Sequence, residues 1–430
     1  MPFMPFNILG IWFRGLLSIA IIAGGIYLLK LWYDESYEPL PVRAVEVEKS
    51  TGTDDPVRDR DLSADRPRQQ VFAYKPGMNR ETAYLASGIG LLTLATVGGW
   101  IRRMFSMMLG GPKPAQGQAA NEPRDERSGE IHSIKRPDGS ELRVECYGPV
   151  GAPPLVMTHG WGCNSTEWFY LKKNLTDQFR LILWDEPGLG LSKKPTNNDY
   201  RLENLAADLE AVLTFAGEQP AVLVGHSIGG MINLTLCKVL PKVLERRVAG
   251  LVLVHTTYTN PVRTTKMAGF YTAIEKPVII PMLYLTIGLW PLAWVMNLLS
   301  YLNGSAHRST HKQSFAGTET RGQLDFFSKF MAQDRPDVLA RGMLGMIEYD
   351  ATATLATIHK PTLVIVGDQD TTTLPEAGYY MSRNIPNAQL ATLSPAKHLG
   401  LIEQHERFNE LVANFAKSCF TSSAVLSNRS

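Results

Sequence analysis

This chain has little cysteine, little charge bias and none of the common cofactor signatures. Its four cysteines, Cys146, Cys163, Cys237 and Cys419, are scattered with no CxxC pair and no metal-ligand spacing, so isolated thiols are expected rather than a disulfide framework. Lysine plus arginine number 43 against 41 aspartate plus glutamate, a net charge of +2, which argues against nucleic acid as the main partner. HExxH, a Walker A loop and a dinucleotide-binding glycine fingerprint are missing, and neither a metal nor an organic cofactor is expected. There is no internal repeat in the 430 residues, a length that accommodates one large core and an accessory region.

What is present at the N-terminal end is apolar. Residues 15–29 carry no charge, and the run continues past Lys30 through Leu31, Trp32 and Tyr33; a second uncharged run, 84–101, ends in Arg102 and Arg103. These lengths suit two transmembrane helices, about 11–33 and 84–101, joined by a charged, proline-containing exposed loop at 34–83. A cleaved signal peptide is the alternative for the first, with a faint small-x-small site at Ser18-Ile19-Ala20, and a buried helix for the second. Arg14 before the hairpin and Arg102-Arg103 after it put both ends on the cytoplasmic side, although the loop's own basic residues argue the other way. The expectation is a multi-pass membrane protein with a cytoplasmic catalytic domain: membrane-anchoring region 1–109, flexible linker 110–129, folded domain 130–418 and tail 419–430.

From about residue 131 the pattern changes to short apolar runs alternating with helical stretches. Two strands, 131–135 and 142–146, flank a Pro137-Asp138-Gly139 turn, and further runs fall at 155–157, 181–184, 222–224, 251–254 and 363–366. Runs that are apolar on both faces and separated by helices indicate a mostly parallel sheet. In such sheets the chemistry gathers at the carboxyl ends of the strands. The run 222–224 leads into Gly225-His226-Ser227-Ile228-Gly229, the pattern of a nucleophile elbow. Small residues two places from the serine let a strand turn at once into a helix whose N-terminus faces the reacting centre.

The other strand ends carry His159-Gly160-Trp161-Gly162, Asp185-Glu186-Pro187-Gly188-Leu189-Gly190-Leu191-Ser192, Gly367-Asp368-Gln369-Asp370 and Ser394-Pro395-Ala396-Lys397-His398. Together these motifs resemble the α/β-hydrolase superfamily over about residues 130–417, and are similar to esterases and monoacylglycerol-lipase-type hydrolases. The resemblance implies an α/β-hydrolase fold and a triad in the order Ser227, Asp370, His398. It implies an oxyanion hole from the backbone N–H groups of Trp161 and Ile228. Asp368 and Asp350 are rival acids, and the resemblance favours Asp370 as the last position of Gly-x-x-Asp. Among nine histidines, His226 beside the nucleophile, His159 in the HG turn and His405 in the last helix compete with His398 for the base. His398 alone follows a late strand and precedes the final helix. Residues 185–192 read as a structural loop.

About a hundred residues separate the runs at 251–254 and 363–366, which suggests a helical cap at about 258–345. Residues 277–302 contain no charge but include Pro281, Gly288 and Pro291, so a hydrophobic or membrane-dipping lid and a third span are both open. The expected activity is cleavage of carboxylic esters of hydrophobic acyl substrates, lipid esters among them, at a membrane through an acyl-enzyme. Thioesterase, amidase, lactonase and cofactor-free peroxidase chemistry share the same triad, and a non-catalytic binding protein is the alternative of a different class.

Overall fold

The computed structural model describes residues 5–39, 72–74, 79–108, 122–128 and 130–427. Most of the expected loop 34–83, most of the expected linker 110–129 and the last three residues lie outside them. The chain divides into two compact units, Met1–Ser18 with Val97–Ser430, and Ile19–Thr96. In the smaller unit the helices Pro5–Ser36 and Asn79–Met108 touch at glycines. A Cβ on Gly88 would lie 3.0 Å from the Gly25 carbonyl oxygen, and one on Gly25 3.1 Å from that of Gly88. Glycine at both positions is what lets the two backbones come this close. Two helical stretches among the described residues are long and apolar enough to cross a membrane, Trp12–Ser36 and Ala268–Gly288. The run 84–101 is helical, within Asn79–Met108, but is not one of these two.

The larger unit is built on an eight-stranded sheet. In chain order its strands are β1 (Glu130–Lys135), β2 (Glu141–Tyr147), β3 (Pro154–Thr158), β4 (Arg180–Trp184), β5 (Ala221–His226), β6 (Val248–Val254), β7 (Thr362–Gly367) and β8 (Ala388–Leu393). Their spatial order is β1-β2-β4-β3-β5-β6-β7-β8. The β1–β2 hairpin and the β2–β4 pair are antiparallel and every other pair is parallel. All the expected runs fall inside these strands, and β3, β5, β6 and β7 are buried along their whole length. That is why they read as unbroken apolar segments rather than alternating ones. The register sets Thr158 opposite Trp184 and Gly225, and His226 opposite Val254. The loops that leave these strands therefore start from one edge.

Helices cover both faces. Phe169–Leu175 packs with the last helix, His405–Ser427, while Leu202–Ala216 packs with Ile228–Val239. The last helix seats on β6 at a glycine, since a Cβ on Gly250 would come within 2.6 Å of the Cys419 sulfur. This corrects the expected boundary at 418: Cys419 is buried and the helix runs on to Ser427. The described part of the expected linker is also tied down. Arg127 donates to Glu145 at 2.8 Å, and the Lys172 ammonium donates to the Glu126 carbonyl at 2.7 Å. A buried carboxylate and a mostly buried ammonium each need a partner, and residues 122–128 supply them. All four cysteines are buried.

Between β6 and β7, where a cap is expected at about 258–345, the chain forms a run of helices, called the cap below. Its helices include Ala268–Ile274, Ile280–Gly288, Trp290–Leu302, Ser305–Ser314, Arg321–Gln333 and Pro336–Ile347. It is fastened to both sides of the strand ends. The Trp161 indole N–H donates to the Leu339 carbonyl at 3.0 Å, and the Leu399 N–H donates to the Ser314 carbonyl at 3.0 Å.

Candidate active site

Ser227 stands at the junction of β5 and the helix Ile228–Val239 with φ 53° and ψ −114°. A positive φ at a non-glycine residue is strained, and here packing holds it. A Cβ on Gly225 would collide with the Gly229 backbone, and one on Gly229 with the Thr158 carbonyl. The two glycines flanking the serine are therefore demanded by close approach of backbones. The Ser227 N–H donates to Val254 and the Thr256 hydroxyl donates to the Ser227 carbonyl, which fixes the turn from the neighbouring strand.

The loops after β7 and β8 bring two further expected residues to this point. His398 Nε2 lies 3.1 Å from Ser227 Oγ, and His398 Nδ1 lies 2.8 Å from Asp370 Oδ2. All three residues are buried. With Asp370 ionised, Nδ1 carries the proton and Nε2 is left to accept from the serine hydroxyl. Burial works against the Asp370 charge, but His398, His255 and the Thr372 N–H outweigh it and hold the carboxyl below its ordinary range. For His398 burial wins: the imidazole is held below its ordinary value although the Asp370 carboxylate pulls upward. A neutral imidazole aimed at a hydroxyl is the state a general base needs.

The rivals separate cleanly. Asp368 accepts from the Ala396 N–H and the Ser394 hydroxyl, so it braces the loop that carries His398. Asp350 accepts from Thr352 and Thr259 at the cap's root. His405 stacks on Tyr170 with ring centroids 3.8 Å apart. His159 accepts from the Glu186 N–H at Nε2, so its Nδ1 donates to the Gly160 carbonyl at 2.9 Å. Residues 185–192 form a braced loop, in which Asp185 accepts from the Ser165 and Leu191 N–H groups. Among the described residues the backbone N–H groups of Trp161 and Ile228 make no internal hydrogen bond, which leaves both available to a ligand.

One grouping outside the strand ends has metal-donor atoms, Glu130, His132 and Cys146, all within 4.8 Å of one another. It fits a metal poorly. Arg180 already donates to Glu130, and burial pushes the Cys146 thiol up to about 11, away from the thiolate a metal takes.

Residues 153–274 match the family model described as the alpha/beta hydrolase fold. The fold is that of the α/β-hydrolase superfamily. The chain is similar to the pimeloyl-acyl-carrier-protein methyl ester esterase of Nitrosospira multiformis, 25% identical over 280 residues, which are 64% of this chain and 98% of that protein. It is also similar to 3-oxoadipate enol-lactonase 1 of Acinetobacter baylyi, 26% identical over 300 residues, 67% of this chain and 98% of that one. Among solved structures, the esterase from Exiguobacterium antarcticum superposes with a TM-score of 0.54 at 23% identity, covering 66% of this chain and 98% of its own.

Three buried groups in the larger unit have no counterpart among the sequence expectations. Glu167 accepts from the Gly160 N–H and contacts His226, each at 2.8 Å. His255 follows β6 and lies 3.8 Å from Asp370 Oδ2; burial pushes its imidazole down to about 3, so it stands neutral beside the acid. Asp334 lies near Gly162, and burial with Asp185 nearby pushes its carboxyl up to about 8. No spacing rule marks these residues, because Glu167 lies far along the chain from His226, His255 from Asp370 and Asp334 from Gly162.

Proposed function

We propose that this chain is a membrane-anchored serine hydrolase that cleaves carboxylic esters bearing hydrophobic acyl groups. The observation that carries the reading is the line of contacts from Ser227 Oγ to His398 to Asp370, at 3.1 and 2.8 Å. As Oγ attacks the ester carbonyl carbon, His398 takes its proton, and Asp370 holds the tautomer and stabilises the imidazolium. The oxyanion is met by the N–H groups of Trp161 and Ile228. Collapse expels the alcohol, which takes the proton from His398 and leaves Ser227 acylated. Water, deprotonated by the same imidazole, then releases the acid and restores Ser227. Side chains, backbone and water supply every proton and charge in this cycle.

The apolar regions support the substrate class. Trp12 Nε1–H donates to Thr286 Oγ1 at 2.9 Å, Asn303 Nδ2 donates to Ser18 Oγ at 3.0 Å, and Gly15 lies against Met296. The start of the N-terminal helix is thus packed on the cap. Around that contact Tyr284 (61% exposed), Leu289, Trp294 and Val295 on the cap and Phe13, Leu16 and Leu17 on the helix turn outward. Outward-facing apolar side chains of this kind suit contact with lipid. A monoacylglycerol-like ester drawn from the bilayer fits it, with the domain on the cytoplasmic face as the flanking arginines favour. The similarity to an enol-lactonase favours a second reading, lactone opening, which is the same attack on an internal ester.

Labelling of the full-length protein with a fluorophosphonate tests the reaction class. Wild type is expected to label and Ser227→Ala not to; absence of labelling in wild type, or equal labelling of both, overturns it. A nitrophenyl ester series tests the substrate class, and preference for acetyl over octanoyl counts against a lipid-sized pocket. A hydrophobic lactone turned over faster than its open-chain ester would favour the second reading.

A further inference from the structure

The segment after the HG turn begins with Asn164, whose side chain accepts from the Thr166 N–H at 2.9 Å and opens the short helix Ser165–Trp168. That turn swings Glu167 inward, where it is fully buried. A carboxylate out of water has to be paired, and this one faces the Gly160 N–H, His226 and the Cys163 thiol. Oε2 accepts from the Gly160 N–H and Oε1 contacts His226 Nδ1, both at 2.8 Å. His226 Nε2 lies 3.1 Å from the backbone carbonyl of His398. A carbonyl only accepts, so Nε2 carries a proton. Nδ1 then either donates to a carboxylate or accepts from a carboxylic acid, and the line is unbroken both ways.

Each end of that line meets a different part of the reaction. At one end, Glu167 occupies the Gly160 N–H, while the Gly160 carbonyl is held by the Cys163 N–H and by His159. In a trans peptide the N–H points opposite to the carbonyl. The direction of the Trp161 N–H is therefore fixed by the bonds that hold Gly160. At the other end, the bond from His226 holds the backbone from which the His398 ring projects. His226 and His398 have centroids 5.1 Å apart, and His255 stands 6.0 and 6.1 Å from them.

We propose that Glu167, acting through His226, is a positioning residue that sets the oxyanion loop and the base His398 in register with Ser227. This rests on the serine-hydrolase reading above. It also accounts for a histidine directly before the nucleophile, whose ring is turned away from Ser227 Oγ toward Glu167.

The test uses the full-length protein and a short, soluble nitrophenyl ester, with fluorophosphonate labelling measured alongside. Glu167→Ala is expected to lower kcat about 100-fold with KM changed less than about threefold, the size of effect a misplacement of about 1 Å produces. Glu167→Gln recovers most of that loss. Its carbonyl accepts from the Gly160 N–H and its amide donates to a neutral His226, whose Nε2–H stays on the His398 carbonyl. Combining Glu167→Ala with His226→Ala costs no more than the larger single effect, because both break one line. Should Glu167→Ala not fold, Glu167→Asp, one methylene too short to reach both partners, carries the same expectation. A folded Glu167→Ala or Glu167→Asp with wild-type kcat, a Gln variant no better than Ala, or single losses that multiply, each overturn the proposal. Failure of the wild type to label overturns the serine-hydrolase reading instead, so the two failures are distinct.

Discussion

The strand ends and the cap are made of opposite materials. At the strand ends Ser227, Glu167, His226, Asp370 and His398 are polar, buried and held at hydrogen-bond distances from one another. In the cap, residues 277–302 carry no charge, and several of their largest side chains face outward. Directional contacts fail when an atom moves by a fraction of an ångström, whereas apolar contact scales with area and tolerates rearrangement. Under the proposed function, bond-breaking falls to one region and choice of substrate to the other. Each can be damaged separately.

The largest separation comes from Asp370→Asn. The amide keeps its shape but cannot fix the same imidazole tautomer, and kcat is expected to fall about 10⁴-fold while the long-to-short ester preference is kept. A parallel loss of chain preference, measured on the same ester series, breaks the division between the regions.

Glycines give the same contrast in stability. A Cβ on Gly229 would run into the Thr158 carbonyl, while one on Gly288 in the cap meets nothing within 4 Å. Gly229→Ala is expected to cost about 1–3 kcal/mol, read as a Tm drop of roughly 2–4 °C per kcal/mol. Gly288→Ala is expected to stay within about 0.5 kcal/mol of wild type. Equal Tm values for the two variants contradict the close approach at the elbow.

Breaking the cap calls for several substitutions at once. Replacing Tyr284, Leu289, Trp294 and Val295 by serine removes outward apolar area from the surface proposed to meet lipid. Turnover of a long-chain ester presented in vesicles should drop at least about tenfold, since each apolar side chain withdrawn from such contact forfeits roughly 1.5 kcal/mol or more. Turnover of a soluble short ester should hold. An equal fall on both substrates places these side chains in the folding of the domain instead.

What could be read from the sequence follows the same line. The runs around 155–157, 222–224, 251–254 and 363–366 betrayed the sheet because strands buried on both faces need continuous apolar stretches. The elbow was legible from its glycine spacing after an apolar run, while the order Ser227, Asp370, His398 came from the family resemblance; in the structure the three side chains stand in contact. The pairing of Glu167 with His226 was not legible, for 59 positions separate them and a glutamate in a polar turn reads as solvated. Arg127 and Glu126 looked like tether until buried Glu145 and Lys172 supplied partners, and Cys419 looked like tail until Gly250 made room for it.

The gentlest way to sharpen the contrast is pH. His398 is held below the ordinary imidazole value of 6.5, with burial the largest cause and Asp370 opposing it. The neutral base therefore survives below pH 6.5, and the acid limb of kcat/KM should fall only as pH drops through that lowered value. Stability takes the same sign. The unfolded chain begins to bind this proton near 6.5, before the folded chain does, so His398 contributes a loss of stability that starts there and levels off below its folded-state value. Residues 277–302 hold no acidic or basic side chain apart from their tyrosines, so the ratio of long- to short-chain kcat/KM should stay flat across the window in which both rates fall. An acid limb above 6.5 removes the argument for a buried neutral base, and a ratio that tilts with pH means that the cap and the strand ends share a titrating group after all.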